Sequence, residues 1–314
     1  MKVSIVIPVF NAERFLEKAI DSCLCLPETG EVILVDDKST DKSVEIAEKY
    51  VQKDKRVKLF FHPNKENRGT GASRNLGIVK ASCEFVSFLD NDDFYLPNRF
   101  TRTKEVFEAN KDIDGVYEAI GTYAYDKESL EAHMKRMSEG KKNQDNLELT
   151  TIDKPVKPED LFEAVLFETY GWFHMNGLTF KKSMFRKTGM FDEFFIWSED
   201  NEFYFRLSYY GKLMAGNITE PVAMRGVYKG NRTLTPHGDE RARYFNVTMW
   251  KKMFDFMLKN KLSKKSSRYI LMRRLDNYSH EFVKQEVNFT RKMIKGLNLF
   301  LLFVKHPKLL MKII

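Results

Sequence analysis

Three carboxylates fall within five residues at Leu89-Asp90-Asn91-Asp92-Asp93, at the end of an apolar run, Phe85 to Leu89, that reads as a buried strand. Like charges crowded beside a core repel one another, and a divalent cation relieves them; hard carboxylate oxygens suit magnesium or manganese shared with a diphosphate. The same residues also read as a polar turn leading to the helix after Pro97. A second acidic pair, Asp36-Asp37, closes the run Val32-Ile33-Leu34-Val35 and precedes Lys38-Ser39-Thr40-Asp41. Helix capping accounts for Ser39, Thr40 and Asp41, but not for both Asp36 and Asp37. The stretch Asn67-Arg68-Gly69-Thr70-Gly71-Ala72-Ser73-Arg74-Asn75 combines glycines, which let backbone amides approach an anion, with two arginines able to grip phosphate oxygens. It lacks the Walker spacing, and such a stretch alone is more often a turn before a helix than a phosphate site. Glu199-Asp200 begins a helical pattern, where the helix terminus favours an anion, although a solvent-facing helix start needs no more than that.

These residues need a frame. The first hundred residues alternate β-branched runs with amphipathic patterns, the signature of β-α units in a mostly parallel sheet. Strands are expected at Val3–Val9, Glu31–Asp36, Val57–Phe61 and Glu84–Asp90, with helices over Phe15–Cys23 and Asp41–Val51. In such sheets ligands bind outside the carboxyl ends of the strands, where Phe10-Asn11, Asp36-Asp37 and Asp90 to Asp93 all fall. Residues 127–154 are highly charged and read as an insertion or loop. Trp172–Phe180 and Lys212–Tyr228 look strand-rich, and Glu199–Tyr210 helical. From about 240 proline disappears until Pro307 and long helical periodicities take over, which sets the expected domains at 1–240 and 241–314.

Composition narrows the classes. With 43% hydrophobic and 31% charged residues, the chain is neither disordered nor fibrous. Three cysteines without metal or redox spacing fit a reduced, cytosolic setting. Val3–Val9 is too short for a signal-peptide core, and the run Leu299–Val304 stops at Lys305, far short of the roughly 18 apolar residues that span a bilayer. The net charge of +8 is uneven: residues 241–314 carry 18 Lys and Arg against 4 Asp and Glu, while residues 1–240 carry 34 against 40. A basic tail on a mildly acidic body directs the tail toward a polyanionic surface.

Five motifs in order make the pattern specific: Ser4 to Asn11, Val35 to Asp41, Gly71 to Asn75, Phe88 to Asp93, and Trp197-Ser198-Glu199-Asp200. Residues 1–110, and more loosely 170–235, resemble family 2 glycosyltransferases of the GT-A fold, a group of inverting enzymes. The resemblance implies an α/β, Rossmann-like fold with a mostly parallel central sheet flanked by helices, here followed by a C-terminal helical extension. It implies that Pro8, Phe10 and Asn11 line the nucleotide pocket, that Asp37 contacts the base, and that Arg74 approaches the donor phosphates. The family's Asp-x-Asp falls on Asp90 and Asp92; Asp90 is assigned to the donor, and Asp92 and Asp93 to a Mn2+ or Mg2+ ion. Asp200 becomes the general base, accepting the acceptor hydroxyl proton as the sugar C1–O bond forms. The segment Tyr228 to Thr235 departs from the family's Tyr-Arg-x-His pattern. Lys229 and Arg232 are candidates for diphosphate contacts and His237 for the metal, each beside its reading as an ordinary loop residue. His174, a lone histidine among aromatics, is read as structural.

The implied reaction moves a hexosyl or N-acetylhexosaminyl group from a nucleotide-diphosphate donor, a UDP-sugar by family frequency, to a saccharide or lipid-linked acceptor of the surface-polysaccharide or lipopolysaccharide kind. In the tail, Leu297, Phe300, Leu301, Val304, Leu309, Leu310 and Ile313 form one face beside Arg291, Lys292, Lys295, Lys305, Lys308 and Lys312. That face suits either an interfacial helix on the cytoplasmic side of the inner membrane or packing against the catalytic domain or a second copy in a homodimer. Two rival classes remain. A catalytically inactive nucleotide-sugar binding protein would keep the nucleotide site without turnover. A basic nucleic-acid-binding module is opposed by the acidic body and by a tail without an aromatic recognition motif, so nucleic acid is not an expected partner.

Overall fold

All seven residues of the first strand, β1 (Val3–Val9), are buried, as an apolar run without alternation requires of a strand covered on both faces. The computed structural model describes residues 1–139, 149–195, 199–231, 240–282, 288–307 and 311. After β1 come α1 (Leu16–Leu24), β2 (Thr29–Asp36), α2 (Ser43–Lys53), β3 (Val57–Phe61), α3 (Gly69–Lys80), β4 (Phe85–Phe88), β5 (Phe94–Tyr95) and α4 (Thr101–Ala109). There follow β6 (Gly115–Tyr117), β7 (Ile120–Ala124), α5 (Lys127–Glu139), α6 (Leu161–Leu166), β8 (Leu178–Lys181), α7 (Phe185–Thr188) and α8 (Glu199–Tyr210). The last elements are β9 (Leu213–Ala215), β10 (Ala223–Val227), α9 (Glu240–Lys259), α10 (Lys264–Phe282) and α11 (Asn288–Lys305).

The main sheet has the order β3-β2-β1-β4-β8-β6-β9. From β3 to β4 every neighbour is parallel; β8 then runs against both β4 and β6, with Ser87 opposite Thr179. A small second sheet, β5-β10-β7, lies in the same unit. One side of β1 packs Val3, Ile5, Ile7 and Val9 against Leu16, Ala19, Ile20 and Cys23, the apolar face of α1. On the other side α3 approaches so closely that a Cβ on Gly77 would lie 2.2 Å from Cγ1 of Val6. Only a residue without a side chain lets the helix sit there.

The structure corrects several expected elements. Residues 127–139 of the charged stretch read as a loop are helix α5, supported by a Lys127–Glu131 pair one turn apart; residues 140–148 lie outside the described residues. Within Trp172–Phe180 only Leu178 onward is strand: ahead of it the chain makes an isolated bridge at Gly171 and Ile152, bonded through Tyr170 and Trp172, and residues 175–177 form a tight turn. The strand expected to reach Asp90 stops at Phe88, which frees the acidic residues from the ladder.

The chain divides into two compact units, Met1–Thr235 and Pro236–Ile314. In the second unit Trp250, Met253, Phe254 and Met257 of α9 are buried, as are Ile270, Leu271 and Leu275 of α10 and Leu302 of α11. Lys295 pairs with Asp276, and His306 lies against Phe254. Leu297, Phe300, Leu301 and Val304, on the far side of α11 from Leu302, are 51–62% exposed. Among the described residues no helix is long and apolar enough to cross a membrane.

Candidate active site

The crevice at the carboxyl ends of the parallel strands is built from loops tied to one another. After β1, Asn11 takes a left-handed backbone (φ 47°) and its side-chain oxygen accepts from the Thr40 amide at 2.8 Å. Ser39 Oγ accepts from the Asn11 amide at 3.1 Å, and Ser43 Oγ from Ala12 at 2.8 Å, which ties the loops after β1 and β2 together. Phe10, at the mouth, is 49% exposed, whereas Pro8 is buried within β1 opposite Val35. Asp36 accepts from the amides of Lys38 and Ser39. Asp37 reaches the other way: its two oxygens accept from the amides of Arg68 (2.6 Å) and Gly69 (2.9 Å), at the start of α3. Burial raises the Asp37 carboxyl above its ordinary range, against the pull of those two amides and of His62.

The glycine-rich stretch is largely helix. From Gly69 onward it forms α3, which brings two side chains to the crevice's floor. Asn75 holds the backbone of Phe191 in both directions, accepting from its amide and donating to its carbonyl, each at 2.9 Å. Arg74 is buried, with one terminal nitrogen donating to Asp90 Oδ1 at 2.8 Å and the other to Glu199 Oε1 at 3.1 Å. Burial pulls against the charged guanidinium, but the carboxylates of Asp90, Glu199 and Asp200 overcome it and secure the cation. Arg74, expected at the donor phosphates, is thus engaged between two carboxylates of its own chain.

The acidic residues after β4 separate into distinct environments. Asp90 is partly exposed, and its amide donates to the side chain of Asn176 at 3.1 Å. Asp92 accepts from Asn231 at 3.2 Å and is hydrogen-bonded by Tyr228. Asp93 is buried, accepting from the Asn176 side chain and, at 2.7 Å, from the Gly226 amide. A Cβ at Gly226 would lie 2.3 Å from the Asp92 carbonyl oxygen, so the close approach that delivers this amide depends on glycine. Burial, then the charges of Asp92 and Asp90, hold the Asp93 carboxyl well above the usual carboxylate range.

Among the described residues, ligand atoms of Asp90, Asp93 and His174 lie within 4.8 Å of one another. Burial, then the charge of Arg225, lowers His174 to about 3 against the pull of Asp90, so the ring is neutral near pH 7. Two carboxylates with an imidazole, one of the acids pushed upward by burial and then by its acidic neighbours, suit a divalent cation of the manganese or magnesium type. His174, read from sequence as structural, and Asn176, which sequence reasoning did not single out, belong to no motif and are more than 80 residues from Asp90. The antiparallel direction of β8 is what returns them, since its first residues lie beside the last residues of β4.

At the far wall, α8 begins with Glu199, buried on Arg74, and Asp200, which is partly exposed and accepts from the Asn201 amide at 2.8 Å. Tyr204, one turn on, is buried, and after burial itself the charge of Asp200 is the largest influence raising its hydroxyl. Trp172 donates to Asn201 at 3.1 Å. Arg74 therefore joins the Asp90 end of the crevice to the Asp200 end. Lys229 is exposed and 3.4 Å from Glu128 on α5. Arg232 and His237, with Trp197 and Ser198, lie outside the described residues.

Comparison with known proteins agrees with this geometry. Residues 4–156 match glycosyl transferase family 2. An uncharacterized glycosyltransferase of Haemophilus influenzae is 52% identical over 93 residues, 29% of this chain and 36% of that protein. The uncharacterized glycosyltransferase EpsJ of Bacillus subtilis is 31% identical over 209 residues, 64% of this chain and 54% of its own. The matches thus span from about a third to just over half of these relatives. Among solved structures, S. aureus TarS residues 1–349 superposes with a TM-score of 0.61 at 17% identity, over 90% of this chain and 73% of that one. The mannosyltransferase PcManGT of Pyrobaculum calidifontis, solved with GDP-Man and Mn2+, gives 0.51 at 14% identity over 96% and 80%. The likeness establishes the GT-A fold: a mostly parallel sheet flanked by helices, followed by a helical C-terminal region. By the ordered motifs, that sheet and the matched segment, residues 4–156 of the chain are similar to glycosyl transferase family 2.

Proposed function

We propose that this chain transfers a hexosyl or N-acetylhexosaminyl group from a nucleotide-diphosphate sugar to a saccharide or lipid-linked saccharide, in one displacement that inverts the sugar C1. The observation that carries the reading is the bridge from Asp90 through Arg74 to Glu199: it sets the acidic residues after β4 and the start of α8 around one crevice. Asp200 is the general base, taking the proton of the acceptor hydroxyl as its oxygen attacks C1 while the nucleoside diphosphate departs. It sits in the first turn of α8, next to the anchored Glu199. Pro8, Phe10 and Asn11 line the nucleotide pocket, Asp90 meets the donor, and Asp37, which also holds the loop ahead of α3, contacts the base. Asp92, Asp93 and Asp90, with His174 in reach, would hold Mn2+ or Mg2+, which when bound offsets negative charge on the leaving diphosphate. Lys229, Arg232 and His237 stay as further candidates at the diphosphate end.

A uridine donor is supported by TarS, which has been solved with UDP-GlcNAc and with UDP; PcManGT, solved with GDP-Man and Mn2+, supports use of a divalent ion. Residues 1–240 form the catalytic domain in this reading, and residues 241–314 a basic extension that docks on the cytoplasmic face of a membrane where a lipid-linked acceptor resides. The test is nucleotide release from a panel of nucleotide sugars with Mn2+ or Mg2+ and a pool of acceptors. Wild type should turn over at least one donor, and Asp200→Asn should lose on the order of 100- to 10,000-fold. Turnover persisting in Asp200→Asn removes it as base, and tight donor binding with no turnover by the wild type favours an inactive binding protein.

A further inference from the structure

Arg74 and Glu199 occupy a costly position. Both side chains are buried, at 3% and 4% exposure, and the Nε of Arg74, also buried, has no hydrogen-bond partner among the described residues. Apolar residues of similar size would hold α3 against α8 without desolvating two charges. What an ion pair adds is direction, because the planar guanidinium fixes the bearing of each carboxylate it meets. One nitrogen holds Asp90, at the end of β4, and the other holds Glu199, the first residue of α8. Asp200 follows Glu199 directly, so its Cα lies about 3.8 Å from that anchored residue. α3 grips the approach to α8 a second time, through the reciprocal bonds of Asn75 with Phe191 and a further bond from Asn75 to Glu193 at 3.1 Å. At Gly71 the two helices come close enough that a Cβ would sit 3.6 Å from the Glu199 side chain.

We propose that Arg74 and Glu199 are positioning residues, a buried strut that fixes the distance and bearing of Asp200 relative to Asp90. The inference rests on the reading of Asp200 as the base. In the reaction neither residue gives or takes a proton: Arg74 stays cationic, Glu199 stays anionic, and their role is exerted through Asp200.

The experiment uses the full chain with the best donor of the panel and compares Glu199→Gln, Arg74→Lys, Asp200→Asn, and each of the first two combined with Asp200→Asn. With the strut loosened, kcat should fall on the order of 10- to 100-fold, the cost of misplacing a catalytic group by about 1 Å, while donor KM stays within about threefold. In the Asp200→Asn background the same substitutions should cost nothing further, since they act through that residue. Hydrogen exchange supplies a readout independent of turnover: amides of residues 199–205 should exchange faster in Glu199→Gln and Arg74→Lys, with β1, β2 and β3 unchanged. A thermal melt separates local loosening from loss of fold. Wild-type kcat in Glu199→Gln, losses that multiply in the double variants, or unchanged exchange at 199–205 each overturn the strut. If the wild type turns over no donor, the reaction reading fails by itself, and the exchange measurement still decides whether the strut exists.

Discussion

Asp90, Asp92 and Asp93 are neighbours in sequence, yet each has a different partner: Arg74 for the first, Asn231 and Tyr228 for the second, Asn176 and Gly226 for the third. The cluster was visible in the sequence; its division was not, because every partner but Arg74 arrives from beyond residue 170. If His174 and Asp93 contribute to a cation site, titration calorimetry with Mn2+ in the presence of UDP should show affinity falling at least about tenfold in His174→Leu and in Asp93→Asn. Unchanged affinity in both would place the ion elsewhere. A second prediction concerns Glu31, buried at the other end of β2. Burial raises its carboxyl, but hydrogen bonds from Lys58, Ser4 and Ser82 outweigh it and bring it down to about 2, from an ordinary 4.5. A depressed folded value gives stability that is complete above about pH 4.5 and lost as pH falls toward 2. Urea midpoints followed across that window should fall less steeply in Glu31→Gln than in wild type, and equal slopes would clear Glu31 of the effect.

Helices and strands whose periodicity was strong came out close to their expected spans: β1 and β3 match residue for residue, and α8 runs over Glu199–Tyr210 as its pattern requires. Weakly patterned stretches did not. α5 has six Lys, Arg or Glu among its 13 residues and presents few apolar residues for a period to show, and the region before β8 mixes aromatics with turn residues that mimic a strand. α3 was misread for another reason. Gly69 and Gly71 suggest a phosphate loop in sequence, whereas in the fold they begin a helix, which Gly77 lets settle on Val6. Gly77→Ala therefore sets two effects against each other. Helix propensity would gain roughly 1 kcal/mol, while a methyl forced to 2.2 Å from a buried valine of the central strand should cost about 1–3 kcal/mol. The clash should win, giving a variant less stable by about 1–2 kcal/mol in urea denaturation; a gain in stability would mean that Val6 turns aside at little cost.

For the molecule as a whole, charge and apolar surface are distributed unevenly. The excess of positive charge lies in residues 241–314, and Leu297, Phe300, Leu301 and Val304 remain exposed there on α11. Sedimentation of the full chain with vesicles containing phosphatidylglycerol should carry the protein down, less so at high salt and little with phosphatidylcholine alone. Replacing Leu297, Phe300 and Val304 with serine should weaken the association by about 100-fold or more, since each large apolar side chain is worth roughly 1.5–3 kcal/mol when buried. Equal binding to neutral vesicles, or no effect of the triple substitution, would refute membrane docking by this face. The reversed direction of β8 has a separate consequence. A sheet of purely parallel strands could furnish its crevice only from strand exits, and altering one would disturb the crossover that follows. Here an entrance, residues 171–177, opens onto the same space, so this short stretch can be exchanged to retool the chemistry while the four-strand chassis beside it is left alone.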